Sequence, residues 1–95
     1  MRRALLAALL VSATPALASD EASWEAFRAE VRKGCEKAVA GTLEKPAIAV
    51  DPHGSESYGI AIAKGKSKYS KDTLAVVCVF DKRTKKLETS GEFAQ

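Results

Sequence analysis

Apolar positions along this chain follow two rhythms, a three- and four-residue spacing up to Gly41 and an alternation of two beyond it. Trp24, Phe27, Val31, Cys35, Ala38 and Val39 recur at helical intervals, while Glu25, Arg28, Arg32, Lys33, Glu36 and Lys37 take the other positions. That pattern predicts an amphipathic helix with one apolar stripe. Asp20 and Ser23 are its candidate N-caps, Gly41 its stop and Pro46 a barrier to continuation. Cys35 lies on the stripe and is expected to point into the core.

The remainder reads as strands. Ala47 to Val50 is short and closes on Asp51-Pro52-His53-Gly54. Ser57 to Ala63 alternates Tyr58, Ile60 and Ile62 with Gly59, Ala61 and Ala63. Thr73 to Phe80 is the strongest β segment, and a turn over 81–85 leads to a weaker strand from Lys86 to Phe93. One helix followed by three or four strands in a meander predicts an α+β fold, with the helix on one face of an antiparallel sheet.

Strand geometry places Leu74, Val76, Cys78 and Phe80 on one face, and Ala75, Val77 and Val79 on the other. If Cys78 bonds Cys35, the first face is the one the helix covers. With Tyr58, Ile60 and Ile62 also directed at the helix, Ala61 and Ala63 join Ala75, Val77 and Val79 on the back. One helix covers one face, so this back face is expected to bind a partner, with a homodimer through the sheet as one form of that contact.

The first eighteen residues change the setting. Met1-Arg2-Arg3 is basic, Ala4 to Val11 is unbroken apolar sequence, and Ala16-Leu17-Ala18 is a small-x-small cleavage signal. This predicts a secretory signal peptide over 1–18, cleaved after Ala18, and a periplasmic location; the apolar run is too short to span a bilayer. Removing 18 of 95 residues leaves 77, a single small domain over 19–95. In an exported chain two cysteines predict one disulfide, Cys35–Cys78, with a single possible pairing. Arg2 and Arg3 leave with the leader, so 15 basic residues become 13 against 12 acidic ones. A net charge near +1 and an exported location argue against nucleic acid as a partner. No membrane span is expected.

Candidate chemistry is sparse. Asp51, His53 and Ser55 contain the atom types of a hydrolase triad, but residues two apart around Pro52 and Gly54 form a turn, whereas a triad is assembled from separate elements. Asp51, His53 and Glu56 make a thin ligand set for zinc. Two cysteines 43 residues apart on apolar faces lack the close spacing and exposure of a redox dithiol. No catalytic residue, metal or cofactor is therefore assigned. Lys64, Lys66, Lys68, Tyr69 and Lys71 concentrate positive charge in one expected loop, a contact for an acidic envelope protein or an anionic envelope polymer.

The helix-then-meander order, ending in Val79-Phe80-Asp81, a basic turn with Thr84 and a strand from Leu87, resembles the PepSY-type domain. Lys85 stands where that family shows glycine after the threonine. The resemblance implies a small secreted α+β module, often attached to or inhibiting proteases. The segment from Asp51 to Gly59 is also similar to stretches of small exported proteobacterial proteins. Together these features predict a non-enzymatic periplasmic binding module, an inhibitor or accessory subunit; a small-molecule or metal carrier, or a small redox protein, is the alternative.

Overall fold

The computed structural model describes residues 16–95, in the order α1 (Ala16–Val39), β1 (Leu43–Val50), β2 (Tyr58–Ser67), β3 (Thr73–Asp81) and β4 (Leu87–Ala94). Most of the expected leader lies outside the described residues. The four strands form one antiparallel sheet in the order β1-β2-β3-β4, and α1 lies across one face of it. This is the α+β architecture expected from the periodicity.

Helix α1 begins upstream of both expected caps. Ala16-Leu17-Ala18 forms its first turn, so Asp20 and Ser23 lie inside the helix. Strong helix formers carry it through that stretch. Its buried stripe is Val31, Cys35 and Val39 with Phe27 partly covered, a strict four-residue ladder; Ala38 falls off this line and is exposed. The helix ends at Val39, and the Thr42 N–H donates to the Val39 carbonyl through the turn that contains Gly41.

Strands β1 and β2 are longer than expected. β1 includes Pro46, which sits in a register shift between Glu44 and Ala47 on an edge strand, with Lys45 at φ 44°. An edge bulge tolerates a residue with no N–H to donate. β2 runs on to Ser67, so Lys64 and Lys66 belong to a strand and only Lys68, Tyr69 and Lys71 of the basic group lie in the hairpin.

The Cys35–Cys78 disulfide is present, with Cα atoms 5.7 Å apart. It joins the helix to the central strand and fixes the orientation of β3. Leu74, Val76, Cys78 and Phe80 face the helix, and Val77 and Val79 face away. Register carries this parity to β2, where Gly59 pairs with Phe80, Ala61 with Cys78 and Ala63 with Val76. The small residues of β2 therefore lie under the helix, with Ala61 1% and Ala63 0% exposed, and Tyr58, Ile60 and Ile62 point to the open side. This reverses the expected orientation of β2 and removes Ala61 and Ala63 from the back face. The reason is space. A Cβ on Gly59 would come within 2.7 Å of Val31 Cγ2 and 2.8 Å of Phe27 Cζ. The helix packs close to β2, and larger side chains on that side of the strand would hold it off.

The β3–β4 turn is tied by Asp81. Its Oδ1 accepts from the Arg83 N–H at 2.8 Å and the Thr84 N–H at 3.0 Å. The Thr84 and Arg83 amides hold this carboxyl below its ordinary value of 3.8. Lys85 adopts φ 70°, a left-handed conformation that favours glycine, and its N–H donates to the Asp81 carbonyl at 2.7 Å.

The disulfide closes a 43-residue separation in a core of few large side chains. The chain-entropy model values such a link at about 4 kcal/mol. Reduction is expected to lower the thermal midpoint by roughly 15–30 °C, which a melt monitored by circular dichroism with and without reductant will measure.

Candidate functional site

The uncovered face of the sheet is a grid set by register. One row runs Ala49, Ile62, Val77; the next towards the β3–β4 turn runs Ile60, Val79, Glu88; the next in the other direction runs Ala47, Lys64, Ala75, Phe93. Tyr58 closes one end. Ile62 and Tyr58 are each 43% exposed and Phe93 is 55% exposed. Val77, Val79 and Ile60 are half-buried by their neighbours, and Ala75, between Lys64 and Phe93, is buried. A shallow hollow of about 320 Å³ lies on this side at β1 and β2, lined in part by Ala49, Ile60 and Ile62.

The face is apolar at its centre and charged at its ends. Asp51, which extends the ladder by donating its N–H to the Ile60 carbonyl, and Glu88 mark one end. Lys64 and Lys66 mark the other, with Glu44 opposite Lys66. On β4 a register shift opposite Val77 brings in Ser90, whose Oγ accepts the Val77 N–H at 2.9 Å. Of the residues expected on the back face, Ala75, Val77 and Val79 are there. Tyr58, Ile60, Ile62 and Phe93 were assigned elsewhere or not singled out, and they supply its largest side chains.

Tyr69, at the tip of the β2–β3 hairpin, is 81% exposed. Its N–H donates to Ser67 Oγ, Asp72 donates its N–H to Ser70 Oγ, and the Lys68 N–H donates to the Thr42 carbonyl. Polar side chains thus shape the loop and leave Lys68, Tyr69 and Lys71 pointing to solvent.

At the opposite end of the sheet the 51–57 loop is held by cations on its carbonyls. Lys82 Nζ donates to the His53 carbonyl at 2.9 Å and the Ser55 carbonyl at 2.7 Å, and lies 5.1 Å and 5.2 Å from the ring centres of Trp24 and Phe27. Arg28 donates to the Pro52 carbonyl at 3.1 Å and pairs with Glu21. The His53 ring meets the Trp24 ring edge to face at 4.6 Å. Asp51 accepts the His53 N–H, and Ser55 Oγ accepts the Tyr58 N–H. Asp51, His53 and Ser55 are thus occupied in the turn and in packing, and they form no nucleophile–base pair. Among the described residues no group of three His, Cys, Asp or Glu side chains is placed to hold a metal ion.

Beside this loop a groove of about 290 Å³ is lined by Trp24, Phe27, Phe80, Lys82 and Lys85, with Asp20 and Ser23 at its rim. The sequence offered one clue to it: the helical stripe is aromatic only at Trp24 and Phe27. The lysines that complete it come from the β3–β4 turn and are legible in the sequence only as a basic turn.

No known family matches the sequence, and no characterised protein or solved structure shows significant similarity to it. Among the described residues no helix is long and apolar enough to cross a membrane.

The strap around Lys82 makes a local prediction. Lys82→Met keeps the aliphatic stem against Trp24 but removes the donor to two carbonyls. Stability is expected to fall by about 1 kcal/mol. Amide exchange, read by mass spectrometry, is expected to speed up over 53–58 and stay unchanged at Val76 and Cys78.

Proposed function

We propose that this protein is a non-enzymatic binding module of the periplasm, an inhibitor or accessory subunit that holds another envelope protein against the open face of its sheet. The observation that carries this reading is the uncovered apolar surface of Tyr58, Ile60, Ile62, Val77 and Phe93, on a chain whose only described helix covers the other side. Soluble proteins keep such contiguous patches for contact. The patch is centred on strands β2 and β3, and the disulfide ties β3 to the helix behind it. The histidine, the cysteines and Asp51 are all engaged in holding the fold, which favours a binding role over a catalytic one.

The basic hairpin is the second part of the contact. Lys66 near the end of β2 and Lys68 and Lys71 in the hairpin gather at one end of the sheet, and an acidic partner surface or an anionic envelope polymer is the complement they suit. A second reading, a carrier of a small molecule, is favoured by the aromatic groove lined by Trp24, Phe27 and Phe80. A mass shift in native mass spectrometry of freshly purified protein would support it.

The face is tested by using the protein as bait on an envelope extract, with Val77→Lys and, as a control on the helix's outer side, Lys33→Glu. The expected result is a captured protein that is lost with Val77→Lys and kept with Lys33→Glu. A captured protein indifferent to Val77→Lys overturns the assignment of the face.

The hairpin is tested with Lys66→Glu combined with Lys68→Glu. Capture is expected to weaken and to fall further as salt rises, since exposed charges are screened over about 10 Å at 0.1 M salt. Unchanged, salt-independent capture would make the hairpin a bystander.

A further inference from the structure

We infer that the open face is covered by a second copy of this chain, packed sheet to sheet about a two-fold axis that runs along the strands between β2 and β3. The inference rests on the reading of this face as a contact surface, and it makes a second copy the occupant in the purified protein, which the envelope protein of the proposed function displaces.

The register supplies the argument. A two-fold along the strands lays β2 of one copy over β3 of the other, and β1 over β4, with the rows kept in step. Ile62 then meets the second copy's Val77, and Ile60 meets its Val79. Lys64 meets Ala75, and Ala47 meets Phe93. In each apolar pairing a larger side chain faces a smaller one, the pattern that lets two sheet faces interdigitate at about 10 Å separation. Phe93 is the most exposed large apolar side chain of the face, and it lands on Ala47, next to the hollow at Ala49. The other two-fold in the plane, across the strands, fits less well: it sets Lys64 over Ile60 and Glu88 over Phe93, charges against large apolar side chains, whereas along the strands Lys64 meets only the small Ala75 and its ammonium can reach solvent at the margin.

The size of the face is sufficient. Four strands about 4.8 Å apart and about eight residues long at about 3.3 Å per residue span roughly 500 Å² per copy. Two copies give roughly 1,000 Å² before side-chain relief is added, which reaches the lower bound for a specific interface.

The arrangement has two electrical signatures. It brings both β2–β3 hairpins to the same end, so a dimer offers two basic loops to one acidic surface and gains from their joint engagement. At the other end it sets Asp51 of one copy near Glu88 of its partner copy, a like-charge pair at the rim.

The test is sedimentation equilibrium of the protein purified from the periplasm of cells expressing the full chain, from low micromolar to near-millimolar concentration. A monomer–dimer equilibrium is expected. Ile62→Lys and Val77→Lys are each expected to weaken it at least about tenfold, as charges placed at the centre of an interface do. Ile62 is already 43% exposed, so Ile62→Lys is the variant that spares the fold, and unchanged circular dichroism with no free thiol checks this. Glu88→Lys turns the rim repulsion into attraction and is expected to tighten the dimer severalfold at low salt, with the gain lost at high salt. A monomer at every concentration, a dimer indifferent to Ile62→Lys, or a dimer loosened by Glu88→Lys would each overturn the inference. A monomer whose envelope capture still depends on Val77 would overturn it while leaving the proposed function standing. A face-dependent dimer that captures nothing would support it and count against the envelope partner.

Discussion

The bond between Cys35 and Cys78 is the constraint on which the rest of the structure depends. It joins the buried stripe of α1 to the middle of β3. With Cys78 committed to the helix, alternate residues of β3 have no freedom of side. Antiparallel register passes that parity from strand to strand, so Ala61 and Ala63 on β2, Ile48 and Val50 on β1 and Leu87 on β4 all follow. A slip of one residue in any strand would exchange its two faces. The core that results is small. Among the described residues its largest fully buried side chains are Leu43, Val31, Val39 and the two half-cystines. A chain of this size needs a covalent staple for stability, and here the same staple sets orientation.

How far the fold was legible depends on where the sequence carries a marker for side. β3 was readable because Cys78 has only one thing to bond, and that settled Val77 and Val79 on the open face. β2 carries no such marker. Read by hydrophobicity, Tyr58, Ile60 and Ile62 look like the buried set, and Gly59, Ala61 and Ala63 like the leftover. Close packing reverses this, since a helix resting near a sheet needs small residues beneath it, as the distances from Gly59 to Val31 and Phe27 show. The start of β1 and the Lys64–Ser67 stretch were misread for a related reason. Local propensity does not reveal that an edge bulge at Lys45-Pro46 lets β1 start early, nor that Leu43 pairs with Ser67 and draws β2 out to meet it. Lys85 adopts a left-handed φ of 70°, a conformation that favours glycine and that the residue type alone does not disclose. The aromatic groove was beyond sequence reasoning, because Trp24 and Lys82 lie 58 positions apart and meet only through the strap they share.

An open four-stranded sheet has two edges and one free face through which it can meet other molecules, and this chain treats them differently. On β1 the Lys45-Pro46 bulge interrupts the ladder, Arg32 of the helix donates to the Ile48 carbonyl at 2.8 Å, and Arg28 occupies the Pro52 carbonyl just beyond. On β4 the register shift at Ser90 breaks the run, and Glu88 and Glu92 add charge. Bulges, proline and charged side chains are the devices that keep sheet edges from pairing with other chains. No such device interrupts the centre of the open face. Asp51, Glu88, Lys64 and Lys66 stand at its margins, while Ile60, Ile62, Val77 and Val79 run uninterrupted between them. Both edges are thus blunted while the centre of the face is left apolar. In the association proposed above, these edges direct contact away from open-ended strand addition and towards one that closes once the face is covered.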